Sequence, residues 1–324
     1  KLATKGCTVI ATAGQGFTRG QASFLMTDTF LNQSVIACKA NERFVLPLFL
    51  YYNLDNRYEE FRLLSDGTST RGGLSGWILK RMTILLPPLD EQKKIVDILE
   101  KIDRKIEVNN AINHNLQQQA AALFSSLYDR SNTEVRFTDL IQILGGGTPK
   151  TGENTYWNGN IAFFTPKDVG IPYTLITEKT ISKEGLSHCN SRLYPVNTVF
   201  VTARGTVGKV GMSGVPMAMN QSCYALVGKE THQLLVYFYT LKAVDRLKHK
   251  ASGAVFDAIT TRDFESEQIM KLSDDDATAF LRVAEPMFQE VLNNNIENLR
   301  LSTLRDSLLP KLMSGEIDVS AVQL

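Results

Sequence analysis

The sequence predicts an α+β chain in which a mainly-β globular domain and a long helix occur twice, giving a pseudo-two-fold internal repeat. Two observations carry this. The strand-like run Thr8-Val-Ile-Ala-Thr-Ala13 recurs as Thr198-Val-Phe-Val-Thr-Ala203, Asn32-Gln33-Ser34 as Asn220-Gln221-Ser222, and Asn109-Asn110 as Asn294-Asn295, at an offset drifting only from 190 to 185 residues. Solenoids repeat every 20–50 residues, so this period marks a duplicated domain instead. The second observation is a change of hydrophobic period after each domain, from short β-like runs to a sustained 3.5-residue spacing.

Taken in order, residues 1–89 read as strands and turns around one short helix. Phe30–Ala37 alternates like a strand, Leu46–Leu63 is an aromatic-rich helical pattern, and Asp66-Gly67 and Gly72-Gly73 are loop signals. Ile78–Leu86 is expected as an aliphatic strand stopped by Pro87-Pro88. By the repeat, Lys1 matches about Ser191, while the second domain has nearly 60 residues ahead of that point. The first domain is therefore expected to lack its N-terminal part.

Residues 90–130 form the first long helix, with Asp90 expected at the N-cap and Glu91 suiting the helix dipole. Ile95, Leu99, Ile102, Ile106, Asn109, Asn113, Leu116, Ala120, Leu123 and Leu127 alternate steps of four and three, a coiled-coil seam. The helix would be about 58 Å long. Residues 131–272 form the second domain, with short strands and a helix expected at Leu234–His249. Residues 273–324 form the second long helix and a tail. Its seam runs through Phe280, Val283, Met287, Val291, Asn294, Asn298, Leu301, Leu304 or Arg305, Leu308 and Leu312, with Pro286 expected to kink it or start its regular part. The spacing and the duplication predict that the helices pack antiparallel, with Asn109/Asn113 meeting Asn294/Asn298. Asparagine at a seam costs stability but fixes register.

Composition narrows the function. With 43% hydrophobic residues the chain can bury an ordinary core, and no run of eighteen apolar residues suggests a membrane span. Four scattered cysteines without C-x-x-C spacing, and four dispersed histidines, argue against a zinc site and for reduced thiols in a cytoplasmic protein. The charge is nearly balanced, 35 basic against 34 acidic residues, yet Glu134–Lys250 holds 13 Lys and Arg against 8 Asp and Glu. That local excess, with a pseudo-symmetric chain, suits a two-fold related partner such as duplex DNA. Gly145-Gly-Gly-Thr-Pro-Lys150 fails both the Walker and the dinucleotide patterns and reads as a turn. No methyltransferase loop of the Asn-Pro-Pro-Tyr type and no G-x-S-x-G elbow occurs.

At this point the motifs carry a resemblance. Gly145-Gly-Gly-Thr-Pro, Tyr156-Trp157-x-Gly159-x-Ile161, Phe164-Thr-Pro-Lys-Asp168, Ile181-Ser-x-x-Gly185-Leu186, Asn197-Thr-Val, Arg204-Gly205, Gly208 and Asn220-Gln221 are similar to a target recognition domain of type I restriction–modification specificity subunits. Ile84-Leu-Leu-Pro-Pro-Leu-x-Glu-Gln-x-x-Ile95-Val96 resembles the start of that family's central spacer helix, and Leu308-Leu-Pro-Lys-Leu-Met-Ser-Gly-Glu-Ile317 the end of its distal one. The second helix departs from the pattern, opening on Ser273-Asp-Asp-Asp276.

The resemblance implies two target recognition domains separated by an antiparallel two-helix coiled coil. Each domain reads one half of a bipartite, asymmetric site in double-stranded DNA, and the coil sets the spacer. It implies no catalysis and no cofactor in this chain. Two modification (methyltransferase) subunits would bring S-adenosylmethionine, and restriction (translocase and nuclease) subunits would bring ATP and Mg. Arg forks onto guanine and Lys holds phosphate, so the candidate DNA contacts are Arg204, Lys209, Lys150, Lys167 and Arg192, with Arg19 and Arg71 in the first domain. Asn220 and Gln221 recur in both repeats, whereas half-sites of an asymmetric target differ, so a structural role is favoured for them. The Arg204–Lys209 loop differs from its counterpart Gly14–Arg19, as half-site reading requires. The rival reading is a coiled-coil scaffold that binds only proteins.

Overall fold

The computed structural model describes residues 1–14, 16–66, 73–170, 172–250 and 258–320. The chain divides into two units, Lys1–Val108 with Asn298–Leu324, and Asn109–Glu297. Each long helix, Leu89–Arg130 and Asp274–Ser314, contributes to both.

In the first unit, strand Thr8–Ala11 lies between Ala22–Phe24 and Val35–Cys38, antiparallel to both. Its burial alternates, with Thr8 and Ile10 fully buried, as a half-covered strand requires. Leu2–Ala3 pairs with Thr29–Phe30 in a separate short ladder. The helical pattern expected over Leu46–Leu63 is two helices, Pro47–Asp55 and Tyr58–Asp66. The polar run Asp55-Asn56-Arg57 separates a helix with no exposed residue from an amphipathic one, and the backbone tightens there through an Arg57 N–H to Leu54 C=O bond.

The strand expected over Ile78–Leu86 is absent. Gly76–Arg81 is a helix, started by Ser75, whose hydroxyl accepts the Ile78 N–H. Met82 then turns extended, and the chain runs without sheet partners to Pro88. One N-cap and a short run of good helix formers outweigh three β-branched residues here. The first long helix begins at Leu89, one residue ahead of the expected cap, with Asp90 and Glu91 in its first turn. Gln92 is fully buried and saturated: its Oε1 accepts the Leu46 N–H, and its Nε2 donates to the carbonyls of Phe44 and Pro87.

The second unit holds a five-stranded sheet in the order Ile141–Gly145, Cys223–Gly228, Val199–Thr202, Val210–Ser213, Tyr173–Thr174; only the last pairing is parallel. A three-stranded sheet places Trp157–Phe164 between Lys179–Ile181 and Met217–Met219. Helix Gln233–Lys250 buries Phe238 against Phe124, Phe280 and Phe288 of the long helices.

The repeat is visible in the ladders. Val199–Thr202 lies between Val210–Ser213 and Cys223–Gly228, as Thr8–Ala11 lies between Ala22–Phe24 and Val35–Cys38. Both copies of the Asn-Gln-Ser run make the same turn: the Ser34 N–H donates to Asn32 Oδ1 at 2.9 Å and the Ser222 N–H to Asn220 Oδ1 at 3.0 Å. The serine carbonyls then accept the N–H groups of Thr12 and Ala203, both at 2.8 Å.

The long helices are antiparallel within each unit. In the first, Lys94 Nζ donates to the Ser320 carbonyl and Asp103 pairs with Arg305 at 2.9 Å. In the second, Asn113 meets Asn294 and Asn295, and Arg130 pairs with Asp276 at 2.6 Å. Every seam residue from Ile95 to Leu127 is buried or half-buried. The expected asparagine layer forms in part: Asn294 donates to Asn113 and Asn113 to Asn295, each at 2.9 Å, whereas Asn109 donates to Glu297, not to an asparagine, at 2.8 Å. On the second helix the seam differs at two points. Val283 is 39% exposed, and Ala284 and Phe288 are buried instead, because this end packs on a domain core as well as on a helix. Arg305, not Leu304, occupies the seam and is held by Asp103. The helix continues through Pro286, which lies on the exposed face, where water can satisfy the Arg282 carbonyl that the proline leaves without a donor.

Candidate nucleic-acid interface

The site is built in the second unit from loops at the ends of its two sheets. The first is the turn Ala203–Lys209 between strands Val199–Thr202 and Val210–Ser213. Gly205 and Gly208 have φ of 80° and 75°, which glycine adopts without strain. Thr202 locks the turn, its Oγ1 accepting the Lys209 N–H at 3.0 Å and donating to the Thr206 carbonyl. The Ile259 N–H donates to the Ala203 carbonyl at 2.9 Å, so a second segment braces the same turn. Arg204 and Lys209 are left exposed. A side chain at Gly208 would meet Lys248 Cε at 2.5 Å, which puts a further cation, from helix Gln233–Lys250, against the loop.

Arg204 opens onto a cleft of about 380 Å³ with Lys167, Lys179, Thr206, Asn220 and Ser222 in its walls. Structure thus brings together two of the sequence candidates, Arg204 and Lys167, and adds Lys179, which sequence reading missed. The others lie outside this cleft. Lys150 is exposed beyond the glycine run, its carbonyl accepting the Trp157 indole N–H at 3.2 Å. Arg192 is exposed near Tyr194, where burial raises the phenol pKa and the guanidinium partly offsets the rise. Arg19 is only 9% exposed, so it is an interior residue rather than a surface cation; the nearby loop is pinned by Arg62 on the Gly16 carbonyl and Tyr58 on the Phe17 carbonyl. Arg71 lies outside the described residues.

The glycine run is close-packed but is not the turn expected: Gly145 ends the strand Ile141–Gly145, residues 146–150 are irregular, and the turn comes at Thr151-Gly152. A Cβ on Gly146 would fall 2.2 Å from the Asn220 carbonyl oxygen, and the Gly147 N–H already donates to the Met219 carbonyl. The Gly147 N–H is therefore not free for a phosphate. Asn220 caps its own turn, and Gln221 Oε1 accepts the Thr148 hydroxyl. Both residues thus serve the scaffold. All four cysteines are free, Cys7 and Cys223 buried. Among the described residues no cluster of metal-ligating side chains occurs, and no helix is long and apolar enough to cross a membrane.

Comparison with known proteins bears on this arrangement. The family model "Type I restriction modification DNA specificity domain" matches residues 3–118 and 130–271. The type I restriction enzyme HindI specificity subunit of Haemophilus influenzae is 24% identical over 388 residues, covering 92% of this chain and 84% of that one. The EcoR124I/EcoR124II specificity subunit of Escherichia coli is 28% identical over 218 residues, covering 63% and 52%. The crystal structure of the type I restriction–modification S subunit from M. genitalium shares the fold, with a TM-score of 0.62 at 17% identity over 97% of this chain and 84% of that one. With two matched segments that together span most of its length, the chain belongs to the type I restriction–modification DNA specificity family.

Proposed function

We propose that this chain is the DNA sequence-specificity subunit of a type I restriction–modification enzyme. Each recognition domain reads one half of a bipartite, asymmetric site, and the paired long helices set the unread spacer and dock two modification subunits. The chain supplies address and no chemistry; S-adenosylmethionine, ATP and Mg belong to the partner subunits. The observation that supports this best is a shared scaffold bearing unlike loops. Both repeats hold the same three-stranded ladder and the same Asn-Gln-Ser turn. The sequence that connects the first two strands of the ladder includes Arg204-Gly-Thr-Val-Gly-Lys209 in one and Gly14-Gln-Gly-Phe-Thr-Arg19 in the other. A constant frame with a variable turn is what two different half-sites require. Family membership favours this reading over a scaffold that binds only proteins.

The test is to map methylated adenines in DNA from cells expressing the chain with its modification subunits. One motif of two unlike halves around an unread spacer is expected. Methylation without a bipartite motif, or unaffected by omitting this chain, overturns the reading.

A further inference from the structure

Just behind the walls of the cleft beside Arg204, the Asp168 carboxylate organises the segments that carry two of the cleft's cations. Thr165-Pro166-Lys167-Asp168 is a tight turn, closed by the Asp168 N–H on the Thr165 carbonyl at 3.0 Å, with Lys167 at its tip. Asp168 Oδ2 accepts both the N–H and the hydroxyl of Thr165, at 2.8 and 2.7 Å. Its other oxygen, Oδ1, accepts the Glu178 N–H at 2.7 Å, ten residues on. One side chain thus ties the turn carrying Lys167 to the start of the strand carrying Lys179. Thr177, itself buried, completes the tie by accepting the Phe163 N–H and donating to the Lys179 carbonyl at 2.7 Å.

The two ammonium groups are held but not consumed. Lys167 pairs with Glu178 at 3.6 Å, with side chains 80% and 57% exposed, and an ion pair so open is weak and exchangeable. Lys179 Nζ stands 5.6 Å from the centre of the Trp157 ring, which biases its direction without neutralising it. Both line the same cleft as Arg204.

We propose that Lys167 and Lys179 form a two-point clamp for DNA phosphates flanking Arg204, and that Asp168 is the positioning residue that sets their spacing. Lys179 becomes a further DNA-contacting residue, and the clamp supplies registration while Arg204 supplies sequence discrimination. This rests on reading the cleft as a DNA surface.

The experiment measures affinity against salt for the full chain assembled with its modification subunits, on cognate and unrelated duplexes. Lys179→Ala is expected to weaken both duplexes by the same factor and to flatten the slope of log affinity against log salt by about 1, as loss of one phosphate contact does. Lys179→Arg should restore the slope. Asp168→Asn keeps the shape but puts a donor where two acceptors are needed, and should flatten the slope while leaving the methylated motif unchanged. A positioning role requires coupling. In a Lys167→Ala, Lys179→Ala background, Asp168→Asn should add nothing, whereas a role in folding alone would add its full loss. An unchanged slope in Lys179→Ala, or full additivity of Asp168→Asn, overturns the clamp. Absence of any preference for the cognate duplex in the unmutated assembly would instead overturn the DNA reading itself. Lys179 is exposed, so its variants test the clamp even if Asp168→Asn fails to fold.

Discussion

Arg204 is exposed, its turn is braced by the Thr202 hydrogen bonds, and it opens on a cleft shared with Lys167; under the proposed function it is the base reader. Arg204→Ala in the assembled complex is expected to relax or abolish reading of one half-site only. A loss of about 1–3 kcal/mol applies if the guanidinium forks a base. Lys209→Ala should weaken all sequences alike. Methylation mapping with binding to both half-sites varied separately checks this, and an unaltered target with Arg204→Ala removes the loop from recognition. A second residue-scale outcome concerns thiols. Cys223 is fully buried, and burial, with a smaller contribution from the Asp168 charge, pushes its pKa up to about 12. At pH 8 it stays protonated, so an alkylating reagent on the native chain should spare Cys223 and label half-buried Cys189 first; mass spectrometry reads the order, and early labelling of Cys223 contradicts the packing of its strand. The candidate site was legible where a cation sat among glycines or beside proline, as Arg204 and Lys167 do. Lys179 carried no such mark, because its position depends on a carboxylate eleven residues earlier. Arg19 looked equivalent to Lys209 by repeat, yet it is buried, and nothing in its local sequence distinguishes an interior arginine from a surface one.

At the scale of elements, what was readable was what depends on a long periodic signal. The seam from Ile95 to Leu127 needed only its spacing. The split of Leu46–Leu63 and the helix Gly76–Arg81 were not readable from period, because a single cap or a three-residue polar run decided each. Pro286 illustrates the same limit: its effect depends on which face it occupies. The asparagine layer offers the sharpest test at this scale. Asn294 is 5% exposed and donates to Asn113, which is 4% exposed. Asn113→Leu alone removes the acceptor of a buried amide and is expected to cost about 1–3 kcal/mol. Adding Asn294→Leu removes the orphaned group and should recover much of that loss, since two apolar residues suit a seam better than one buried polar group. Thermal denaturation of the four-member cycle measures the coupling. Simple additivity of the two losses would mean that the asparagines are not joined in register.

For the whole molecule, the reading is that of a measuring device with no chemistry, and both halves of that statement can be tested. The purified chain alone should neither bind S-adenosylmethionine nor methylate DNA; methyl transfer by contaminant-free chain would contradict the assignment. The measuring role predicts more. If each half-site is read by a domain joined to the paired helices, the unread spacer should follow helix length. Inserting four residues near Leu116 lengthens the first long helix by about 6 Å and turns it by about 400°, slightly over one full turn, so the buried face is nearly kept. The insertion falls after Asn113, so the pair with Asn294 that fixes register is retained while the seam beyond it, through Ala120 and Leu127, moves along by one turn. With a rise of about 3.4 Å per base pair, the preferred spacer should grow by one or two base pairs while both half-site sequences stay the same. Two residues would turn the helix by about 200°, carry Ala120 and Leu127 to solvent, and should destroy activity instead. Mapping methylated sites for both insertions reads the outcome directly. An active four-residue variant with an unchanged spacer, or with altered half-sites, would show that the helices do not set the distance and serve only to dock the modification subunits.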